Sequence, residues 1–372
     1  MPLDFRVVGR DPGTRARLGR AQTDHGPFDT PAFMPVGTRA SVKGMTPADL
    51  ALAGARIVLA NAFHLALRPG EQRVRELGGL HGFMAWPGPI LTDSGGYQVF
   101  SLGGNVRIFD DRVVFRSPVD GTAVEIGPAR AMEIQRALGA DLVMAFDQCG
   151  SFPMERDEAD LCVRRTLRWA RISRDAPLDP HQAVLGIVQG GIHLDLRAEC
   201  ARQLVEMDFP AYAVGGLMVG EPQAEAMKVL AATLPSLPED RLRYLMGVGL
   251  PEDIVLAVAR GIDLFDCVIP TRHARNNHAF TSEGVLNLKN ARFKDDRGPL
   301  DPQCPCYACR TFTRAYLAHL ARENELLAPV LLTAHNVTFY QRLMQRIRET
   351  IAAGTFGELV ADQRPPGTVS GE

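Results

Sequence analysis

Three cysteines lie within six residues of one another in the segment Cys304-Pro-Cys-Tyr-Ala-Cys309. The chain has seven cysteines, an odd number, and three so close together cannot all pair as disulfides. No apolar export segment opens the sequence, so we expect a cytoplasmic protein in a reducing compartment, where clustered thiolates commonly bind a metal. Zn²⁺ prefers four nitrogen or sulfur ligands in a tetrahedron. Cys304, Cys306 and Cys309 therefore predict a structural zinc site that needs one further ligand.

Two histidines downstream of the cysteines could supply this fourth ligand. His335 lies 26 positions after Cys309, just before what we expect to be another helix. His319 falls in the middle of a helix-like segment, where packing or exposure to solvent would explain it. We therefore predict a Cys3His zinc site with His335. Buried cysteines without a metal are the alternative.

Three aspartates lie at or near the ends of short apolar segments, where a buried carboxylate is costly unless it is paired or used. Asp93 follows Ile-Leu-Thr, Asp147 follows Val-Met-Ala-Phe, and Asp266 stands between Leu-Phe and Cys-Val-Ile-Pro. Two carboxylates, one acting as a nucleophile and one as an acid and base, are the usual means of breaking a bond at an anomeric carbon. The aspartates therefore predict a glycosyl-transfer site.

Other residues at these segment ends suit a planar heterocycle. Asp147 can accept two N–H bonds from one edge, while the Gln189 side chain and the Gly216 backbone N–H can donate to a carbonyl oxygen. Tyr97 and Met246 offer flat or polarisable faces on which a ring can stack. This set of donors and acceptors matches the N1, N2 and O6 edge of guanine. The residues therefore predict glycosyl chemistry on a purine nucleoside.

Each of these polar residues also has a purely structural explanation. Asp93 before Ser-Gly-Gly could form an Asx-turn, Asp147 could cap the next turn, and Gln189 could satisfy backbone groups. Their expected convergence at one rim of the fold favours the functional interpretation, because several independent coincidences at the same place are improbable.

Eight apolar segments, each followed by a turn and an amphipathic segment of helical period, must position these side chains. Strands that alternate with helices predict a parallel sheet, and eight such units predict a closed (β/α)8 TIM barrel of the α/β class. A barrel of this kind carries its chemistry at the carboxyl ends of the strands. The segments are 31–37, 55–63, 89–96, 141–148, 183–190, 211–220, 243–249 and 264–270.

The rest of the chain is arranged around this barrel. We expect residues 1–280 to contain N-terminal strands and the eight units, with an inserted β-hairpin at 105–126 that turns at an Asp-Gly-Thr sequence. Residues 281–353 are predicted to form a C-terminal zinc-binding subdomain with a closing helix. Residues 354–372 are predicted to be a flexible tail.

Composition argues against a membrane-spanning protein and against a strongly basic one. No apolar run approaches the ~20 residues that a bilayer span needs, and the formal net charge is −2. Any binding of nucleic acid must therefore depend on a local basic surface. Arg164, Arg168 and Arg171 share one face of a predicted helix at 156–175, which we interpret as a solvated outer face rather than an RNA contact.

Four segments, together with the cysteine cluster, resemble the bacterial queuine/preQ1 tRNA-guanine transglycosylases. They are 92–102 (TDSGGYQVFSL), 188–191 (VQGG), 215–221 (GGLMVGE) and 265–272 (FDCVIPTR), and the resemblance runs from about residue 4 to residue 350. It implies a (β/α)8 barrel with a zinc subdomain that helps to form a homodimer.

The resemblance also implies an activity in queuosine biosynthesis. Guanine at the wobble position 34 of tRNAs with G-U-N anticodons (those for Asp, Asn, His and Tyr) would be replaced by 7-aminomethyl-7-deazaguanine, preQ1, without strand cleavage. Asp266 would be the nucleophile that attacks C1′ and holds a covalent tRNA intermediate. Asp93 would be the proton acceptor, which protonates the departing guanine and deprotonates the incoming base.

The same resemblance assigns binding residues. Leu217 would offer its carbonyl oxygen to the aminomethyl group, and Tyr97 and Met246 would enclose the ring. The implied substrate-binding positions are Asp93, Ser94, Gly95, Gly96, Tyr97, Asp147, Cys149, Gln189, Gly215, Gly216, Leu217, Val219 and Met246. The implied tRNA contacts are Lys43, Gly247, Val248, Gly249, Leu250, Pro251, Glu252, Asp253, Thr271, Arg272, His273, Ala274 and Arg275.

Two positions bear on which base enters the site. Eukaryotic relatives, which accept the bulkier queuine, tend to have glycine at the position of Val219 and a β-branched residue at the position of Cys149. A valine beside the 7-substituent predicts that preQ1 is a good substrate, that guanine exchanges more slowly, and that queuine is a poor substrate because its larger substituent overlaps the valine.

Three other interpretations explain less of the sequence. A non-catalytic partner subunit on the same barrel would not need both Asp93 and Asp266. A glycosidase barrel would leave the guanine-like edge and the zinc site without a purpose. The archaeal branch of the family modifies another tRNA position with additional C-terminal domains, for which the 37 residues after His335 are too few.

Overall fold

A closed barrel of eight parallel strands forms the centre of the molecule, which confirms the fold predicted from the alternating segments. The computed structural model describes residues 2–96 and 106–362. Each of the eight predicted apolar segments contributes one strand, and the strands follow one another around the barrel in chain order.

The described strands form this barrel and three smaller antiparallel sheets. In chain order they are β1 (Asp4–Arg10), β2 (Arg17–Thr23), β3 (Gly26–Thr30), β4 (Ala32–Gly37), β5 (Val58–Asn61), β6 (Ile90–Asp93), β7 (Val106–Ile108), β8 (Val113–Arg116), β9 (Ala123–Ile126), β10 (Leu142–Met144), β11 (Ala183–Val188), β12 (Ala211–Val214), β13 (Leu242–Leu245), β14 (Leu264–Cys267), β15 (His278–Thr281) and β16 (Gly284–Asn287). The barrel consists of β4, β5, β6 and β10 to β14.

The barrel strands are apolar on both faces, because one face fills the interior and the other packs under the helices. Leu91 of β6 belongs to the inner core, whereas its neighbour Ile90 belongs to the outer one. Asp93 lies two residues beyond Leu91, and Asp266 lies two residues beyond the inner residue Leu264. Because side chains alternate along a strand, both carboxylates have the inward orientation at the carboxyl end of the barrel.

Helices cover the outside of the barrel and build the C-terminal region. In chain order the described helices are α1 (Pro47–Leu52), α2 (Ala62–Leu67), α3 (Glu71–Glu76), α4 (Gly79–Met84), α5 (Pro128–Leu138), α6 (Arg156–Asp175), α7 (Leu194–Glu206), α8 (Gln223–Thr233), α9 (Pro251–Val258), α10 (Ile269–Arg275), α11 (Tyr307–Thr311), α12 (Arg314–Glu323), α13 (Leu327–Ala353) and α14 (Phe356–Ala361). None of the helices in residues 2–96 and 106–362 is both long and apolar enough to cross a membrane.

The arginine face of α6 is a solvated face. Arg164 is exposed and pairs with Asp160 one turn earlier, and Arg168 is exposed and pairs with Asp110. The opposite face of the helix is buried and includes Trp169. The arrangement supports the interpretation of these arginines as surface groups of the outer barrel.

The insertion after β6 is larger than the hairpin predicted at 105–126. It is a three-stranded antiparallel sheet of β7, β8 and β9, and it precedes α5. The turn at Asp120-Gly-Thr lies between β8 and β9 as expected, with Gly121 at a φ of 75°. The extra strand was missed because β7 has only three residues and its turn, Phe109 to Arg112, lacks glycine.

The C-terminal region differs from its prediction in two respects. His335 does not precede a helix but lies inside α13, a helix of 27 residues. The chain after residue 354 is not a tail throughout, because α14 buries Phe356 and Leu359. Helix α13 also packs on the barrel, since the ring of its Tyr340 lies 4.7 Å from that of Phe33 in β4.

The N-terminal sheet of β1 to β3 is tied to the amino end of the barrel. Arg17 of β2 is buried and donates two hydrogen bonds to Asp263, at 2.9 Å from Nε and 2.6 Å from Nη2. Asp263 also accepts the backbone N–H of Arg243 at 2.7 Å. A buried ion pair of this kind fixes the register between the sheet and strands β13 and β14, because neither charge can be left without its partner at low cost.

Candidate active site and metal centre

The predicted catalytic and base-binding residues lie at the carboxyl ends of the barrel strands. Asp93 is the last residue of β6, and Asp266 is the third residue of β14. Asp147 follows β10, Gln189 follows β11, and the two glycines at 215 and 216 follow β12. The barrel therefore gathers these groups at one mouth, as the sequence indicated.

Asp93 is buried and held by groups from the neighbouring strand. The Asn61 side-chain amide donates to its Oδ2, and the Ala62 backbone N–H donates to Oδ1 at 3.0 Å. The other end of the Asn61 amide accepts the His64 N–H at 3.0 Å, which fixes the orientation of the amide. Sequence reasoning missed Asn61, although it ends β5 and pairs directly with Asp93 across the sheet.

Asp266 is held through one of its two carboxylate oxygens. The Tyr244 hydroxyl donates to Oδ1 at 2.6 Å, and the Gly247 backbone N–H donates to the same atom at 2.7 Å. Within residues 2–96 and 106–362, Oδ2 has no hydrogen-bond partner. Burial raises the pKa of Asp266, although both hydrogen bonds act in the opposite direction. A carboxylate that is oriented at one oxygen and has its other oxygen free of protein donors is suited to nucleophilic attack.

Tyr244 acts as a permanent donor to this carboxylate. Its side chain is buried inside the barrel. Burial, and then the negative charge of Asp266, raise the pKa of Tyr244 well above its usual value. The phenol therefore keeps its proton and donates to Asp266 throughout the neutral range.

Asp147 is buried beside Gln189 and Ser94. The Gln189 side-chain N–H donates to Oδ2 of Asp147 at 2.8 Å, and the Ser94 hydroxyl lies 3.5 Å from Oδ1. Burial raises the pKa of Asp147 to about 6, because these two contacts offset only part of the cost of desolvation. A ligand that donates N–H groups to this carboxylate would stabilise its charge.

Three glycines allow the backbone to approach these side chains closely. A Cβ on Gly215 or on Gly216 would lie 2.5 Å from the Gln189 side chain. A Cβ on Gly96 would lie 2.8 Å from the Asp147 carbonyl oxygen. Gly216 also has a φ of 61°, in the left-handed region. Any side chain at these positions would displace the groups that line the predicted base site.

Arg197 joins the two loops that carry this site. Its guanidinium is fully buried and donates to the carbonyl oxygens of Gly191 at 2.8 Å, Val188 at 3.2 Å, Gly215 at 2.8 Å and Gly216 at 3.0 Å. Burial lowers the pKa of Arg197 to about 10, so it stays charged at neutral pH. Sequence reasoning missed this residue, because α7 reads as an ordinary amphipathic helix.

Glu221 orients the loop after Gly216. Its two carboxylate oxygens accept the backbone N–H groups of Met218 at 2.6 Å and Val219 at 3.1 Å. Because a trans peptide directs its C=O away from its N–H, the Leu217 carbonyl points away from Glu221. Val219 and Glu221 line a small cavity of about 10 Å³ with the Gln189 side chain. Glu221 was also missed, although it closes the motif in which Leu217 and Val219 were predicted.

The other predicted base-binding residues are less informative. Burial raises the pKa of Cys149 to about 12, so this thiol stays protonated. Met246 follows β13 and is half-buried. Gly95 has a φ of 82°, and a Cβ there would lie 2.8 Å from that of Phe63. Tyr97 lies outside the described residues.

The predicted tRNA contacts fall into an exposed group and a buried group. Lys43 follows β4, and Arg272 and Arg275 lie on α10 after β14; all three are exposed. Burial, and then the positive charges of Arg39 and Lys43, lower the pKa of His64. The exposed cations therefore lie next to two adjacent strand ends. Five predicted contacts are buried, so their side chains do not form part of this surface: Val248, Gly249, Asp253, Thr271 and Ala274.

The three cysteines and His335 form a compact group of metal-binding type. One ligand atom from each of Cys304, Cys306, Cys309 and His335 lies within 4.8 Å of every other. Nδ1 of His335 is 3.5 Å from the sulfur of Cys306 and 3.2 Å from that of Cys309. His319, the alternative ligand, is exposed on α12 and is not part of the group.

The surroundings of His335 fit a metal ligand. Its Nε2 lies 2.7 Å from the Phe280 carbonyl oxygen, so Nε2 carries the proton and Nδ1 is left as the ligand atom. Metal-bound histidines commonly have this second hydrogen bond. The Cys309 backbone N–H also lies 3.5 Å from the Cys306 sulfur, which suits a thiolate. Three thiolates and one imidazole are the donor set that Zn²⁺ prefers.

Comparison with known proteins agrees with the motifs. A family profile described as Queuine tRNA-ribosyltransferase matches residues 11–364. A protein of that name from Shewanella baltica (strain OS155) is 53% identical over 350 residues, which cover 94% of each chain. A protein of the same name from Pelotomaculum thermopropionicum is 52% identical over 354 residues, which cover 95% of this chain and 96% of that relative. The predicted resemblance is therefore confirmed, and the chain belongs to the queuine tRNA-ribosyltransferase family.

Proposed function

We propose that this tRNA-guanine transglycosylase replaces guanine at wobble position 34 of tRNAs with G-U-N anticodons by preQ1, through a covalent bond between Asp266 and the tRNA. The observation that carries the proposal is the convergence of Asp147 and Gln189 with two separately held carboxylates at one barrel mouth. Asp147 and Gln189 match the hydrogen-bonding edge of guanine. Asp266 and Asp93 match the nucleophile and the acid/base group that a double displacement at C1′ requires.

The proposed reaction has two steps. Oδ2 of Asp266 attacks C1′ of nucleotide 34, and the C1′–N9 bond breaks with its electron pair staying on guanine, which takes a proton from Asp93. Asp93 then removes the N9 proton of preQ1, N9 attacks C1′, and the Asp266 carboxylate leaves. The proton lent to guanine is regained from preQ1, so the enzyme returns to its starting state.

The base must leave the anticodon stack to reach this depth, as in other enzymes that act on a base. Lys43, Arg272 and Arg275 are exposed beside the strand ends and can bind the phosphates that flank nucleotide 34. This local positive surface is what a chain with a net charge of −2 requires in order to bind RNA.

The loop after Gly216 supports preQ1 as the incoming base. Glu221 accepts the Met218 N–H, so the Leu217 carbonyl is available to the ammonium of an aminomethyl group. The negative charge of the buried Glu221 behind this loop favours a cation at the 7-position. A neutral substituent at the 7-position would be bound less strongly by the Leu217 carbonyl and by the charge of Glu221.

Incubation with radiolabelled guanine and unmodified tRNA tests the proposal. A tRNA with a G-U-N anticodon should acquire label, and added preQ1 should release it. The same tRNA with adenine at position 34 is the control and should stay unlabelled. Equal labelling of both tRNAs, or of neither, would rule out the proposed exchange.

We expect guanine to bind more weakly as the pH falls below about 6. Binding uses the ionised Asp147, whose raised pKa means that the carboxylate is present above pH 6 and is lost as the pH falls through it. Well below that value the dissociation constant should rise about tenfold per pH unit, with uptake of guanine releasing a proton. Calorimetry in two buffers of different ionisation enthalpy measures both effects. An Asp147→Asn variant should bind weakly at every pH, and a flat wild-type profile between pH 7 and 5 would contradict the assignment.

Val219→Gly should admit queuine, which the wild-type protein is expected to use poorly. The valine side chain lines the cavity beside the base site, and its removal relieves overlap with a cyclopentenediol substituent. Overlap can exceed the ~1–3 kcal/mol of a methylene-sized preference. Side-by-side kinetics with preQ1 and queuine provide the measurement, with Val219→Ala expected to be intermediate. Wild-type protein that uses both bases equally well would contradict this prediction.

For the Cys3His group we propose one structural Zn²⁺ per chain. Four protein ligands would leave no position for substrate, so the ion would hold α11 and α13 together and take no part in the reaction. Cys306→Ser should lose the metal and lower the melting temperature, while guanine still binds. Metal analysis checks the loss, and Cys162→Ser, which changes a buried cysteine of α6, should retain zinc. Full zinc in the Cys306 variant would contradict the site.

A homodimer through the zinc subdomain is also part of the proposal. Large apolar side chains are exposed there, including Leu326 (83%) and Tyr307 (61%). Exposed apolar groups that cluster in one region are typical of interaction surfaces. Sedimentation equilibrium should give twice the mass of one chain, and a single-chain mass at micromolar concentration would contradict the dimer.

All seven cysteines are free of disulfide bonds, which suits the reducing cytoplasm that we propose as the location of the protein.

A further inference from the structure

Two histidines and an aspartate meet at the amino end of the barrel, opposite the mouth that carries the base site. His25 Nδ1 lies 2.8 Å from Oδ1 of Asp141, and His81 Nε2 lies 3.1 Å from Oδ2. One ligand atom from each of the three residues lies within 4.8 Å of the others. Each imidazole thus directs one nitrogen toward the same carboxylate.

The three residues come from distant parts of the chain. His25 lies in the turn between β2 and β3, His81 lies in α4, and Asp141 directly precedes β10. Asp141 is fully buried, and its Oδ2 also accepts the Ile90 backbone N–H at 2.9 Å. A carboxylate that is anchored in this way resembles a metal ligand supported by a second hydrogen bond.

The spacing of the donor atoms suits a metal ion. Bonds of 2.0–2.2 Å in a tetrahedron place nitrogen and oxygen donors about 3.3–3.6 Å apart. The observed separations from Asp141 are 2.8 Å for His25 and 3.1 Å for His81, so a bound ion would move the first nitrogen outward by about 0.5–0.8 Å and the second by about 0.2–0.5 Å. The rings of His25 and His81 stack at 3.4 Å and 10°, which keeps both nitrogens on one side.

A hydrogen-bonded network, in which each imidazole donates one N–H to Asp141, is the simpler explanation of these contacts, and metal binding distinguishes the two. Both imidazoles can donate to Asp141 as they stand. A single divalent ion between the three donors would replace the two shared protons and balance the carboxylate with neutral rings.

We propose that His25, His81 and Asp141 form a second metal site, which binds a divalent transition ion such as Co²⁺, Ni²⁺ or Zn²⁺. Imidazole and carboxylate donors suit these ions, and the absence of a thiolate from the three makes this site weaker and more exchangeable than the Cys3His group. The ion has an entry path, because His25 borders a cavity of about 450 Å³ and its side chain is 33% exposed. A further imidazole, that of His181, lies nearby, with its ring 6.0 Å from that of His25.

The ion would fasten the N-terminal sheet to the closed end of the barrel. His25 belongs to that sheet, whereas His81 and Asp141 belong to the barrel and its helices. Barrel residues at this end contribute to stability rather than to chemistry. Metal at this site should therefore raise the melting temperature and leave base exchange unchanged.

Titration with Co²⁺ tests this inference on the whole protein after its Cys3His group has been filled with zinc. Equilibrium dialysis with metal analysis should find one additional Co²⁺ per chain, and the melting temperature should rise. His25→Asn and His81→Asn should each lose the additional Co²⁺ and keep the zinc. His319→Asn, which changes an exposed histidine on α12, is the matched control and should behave as wild type.

A variant of one metal site should leave metal binding at the other site unchanged. Cys306→Ser should lose zinc from the Cys3His group and still bind Co²⁺ at the proposed site. His25 lies in an exposed turn, so its variant keeps the test decisive even if His81→Asn fails to fold. Co²⁺ that is absent from the wild-type protein at 1 mM free metal (roughly the weak end of protein metal sites), or that persists in His25→Asn, would overturn the inference.

Discussion

An Asp266→Asn variant is expected to lose base exchange by on the order of 10⁴-fold or more, and to form no covalent adduct with tRNA. The amide can present its oxygen to the Tyr244 hydroxyl and the Gly247 N–H, the two donors that hold Oδ1 in the wild-type protein. Its NH₂ group would then occupy the place of Oδ2. The site would keep its shape and lose its nucleophile.

The fold should tolerate this change, so the loss can be assigned to chemistry. Burial raises the pKa of Asp266, which means that the ionised carboxylate is costly to bury and that a neutral amide is not. The melting temperature should be equal to that of the wild type or higher. Labelled tRNA on a denaturing gel detects the adduct. Tyr244→Phe retains the carboxylate and should still form it, and an adduct in the Asp266 variant would identify another nucleophile.

An Asp93→Asn variant is expected to exchange bases about 10²–10⁴-fold more slowly, because proton transfer to and from the base is lost. Both oxygens of Asp93 accept hydrogen bonds, from the Asn61 amide and from the Ala62 N–H. An asparagine at this position must direct its own NH₂ toward one of these donors. In the variant, the side chain at position 93 therefore loses its hydrogen-bonded orientation as well as its ability to transfer a proton.

The two aspartate variants should differ on the same gel. Asp93→Asn retains the nucleophile, so a tRNA adduct should form slowly, whereas Asp266→Asn should form none. Asn61→Ala keeps the Asp93 carboxylate and removes one of its donors, so its exchange rate should lie between those of the wild type and Asp93→Asn. An Asp93→Asn variant with wild-type kinetics would show that another group moves the proton.

The sequence predicted the barrel because each of its apolar segments stops abruptly at a polar residue. Asp93, Asp147 and Gln189 could be placed at one rim for the same reason, since the end of a parallel strand fixes the position of its side chains. The prediction needed only local patterns. It therefore found the residues that end the strands and the cysteines that lie close together along the chain.

Residues that act across the fold could not be predicted in this way. Arg197 binds carbonyl oxygens of two loops, and Glu221 acts on the backbone of its own loop, so neither carries a recognisable spacing. A sequence motif also does not show which of its residues are buried. Thr271 and Ala274 fall within a segment expected to contact tRNA, yet they lie on the inner face of α10, and only the fold distinguishes them from Arg272.

We expect the buried guanidinium of Arg197 to make its two loops open as one cooperative unit. Its hydrogen bonds are divided between Val188 and Gly191 on one side and Gly215 and Gly216 on the other. Each hydrogen bond to a charged group contributes roughly 1.5–3 kcal/mol. Release of either loop would leave part of a desolvated charge without partners and would weaken the hold on the other loop. We therefore expect the floor of the predicted base site to unfold as a single foldon, although it is built from two separate strand ends.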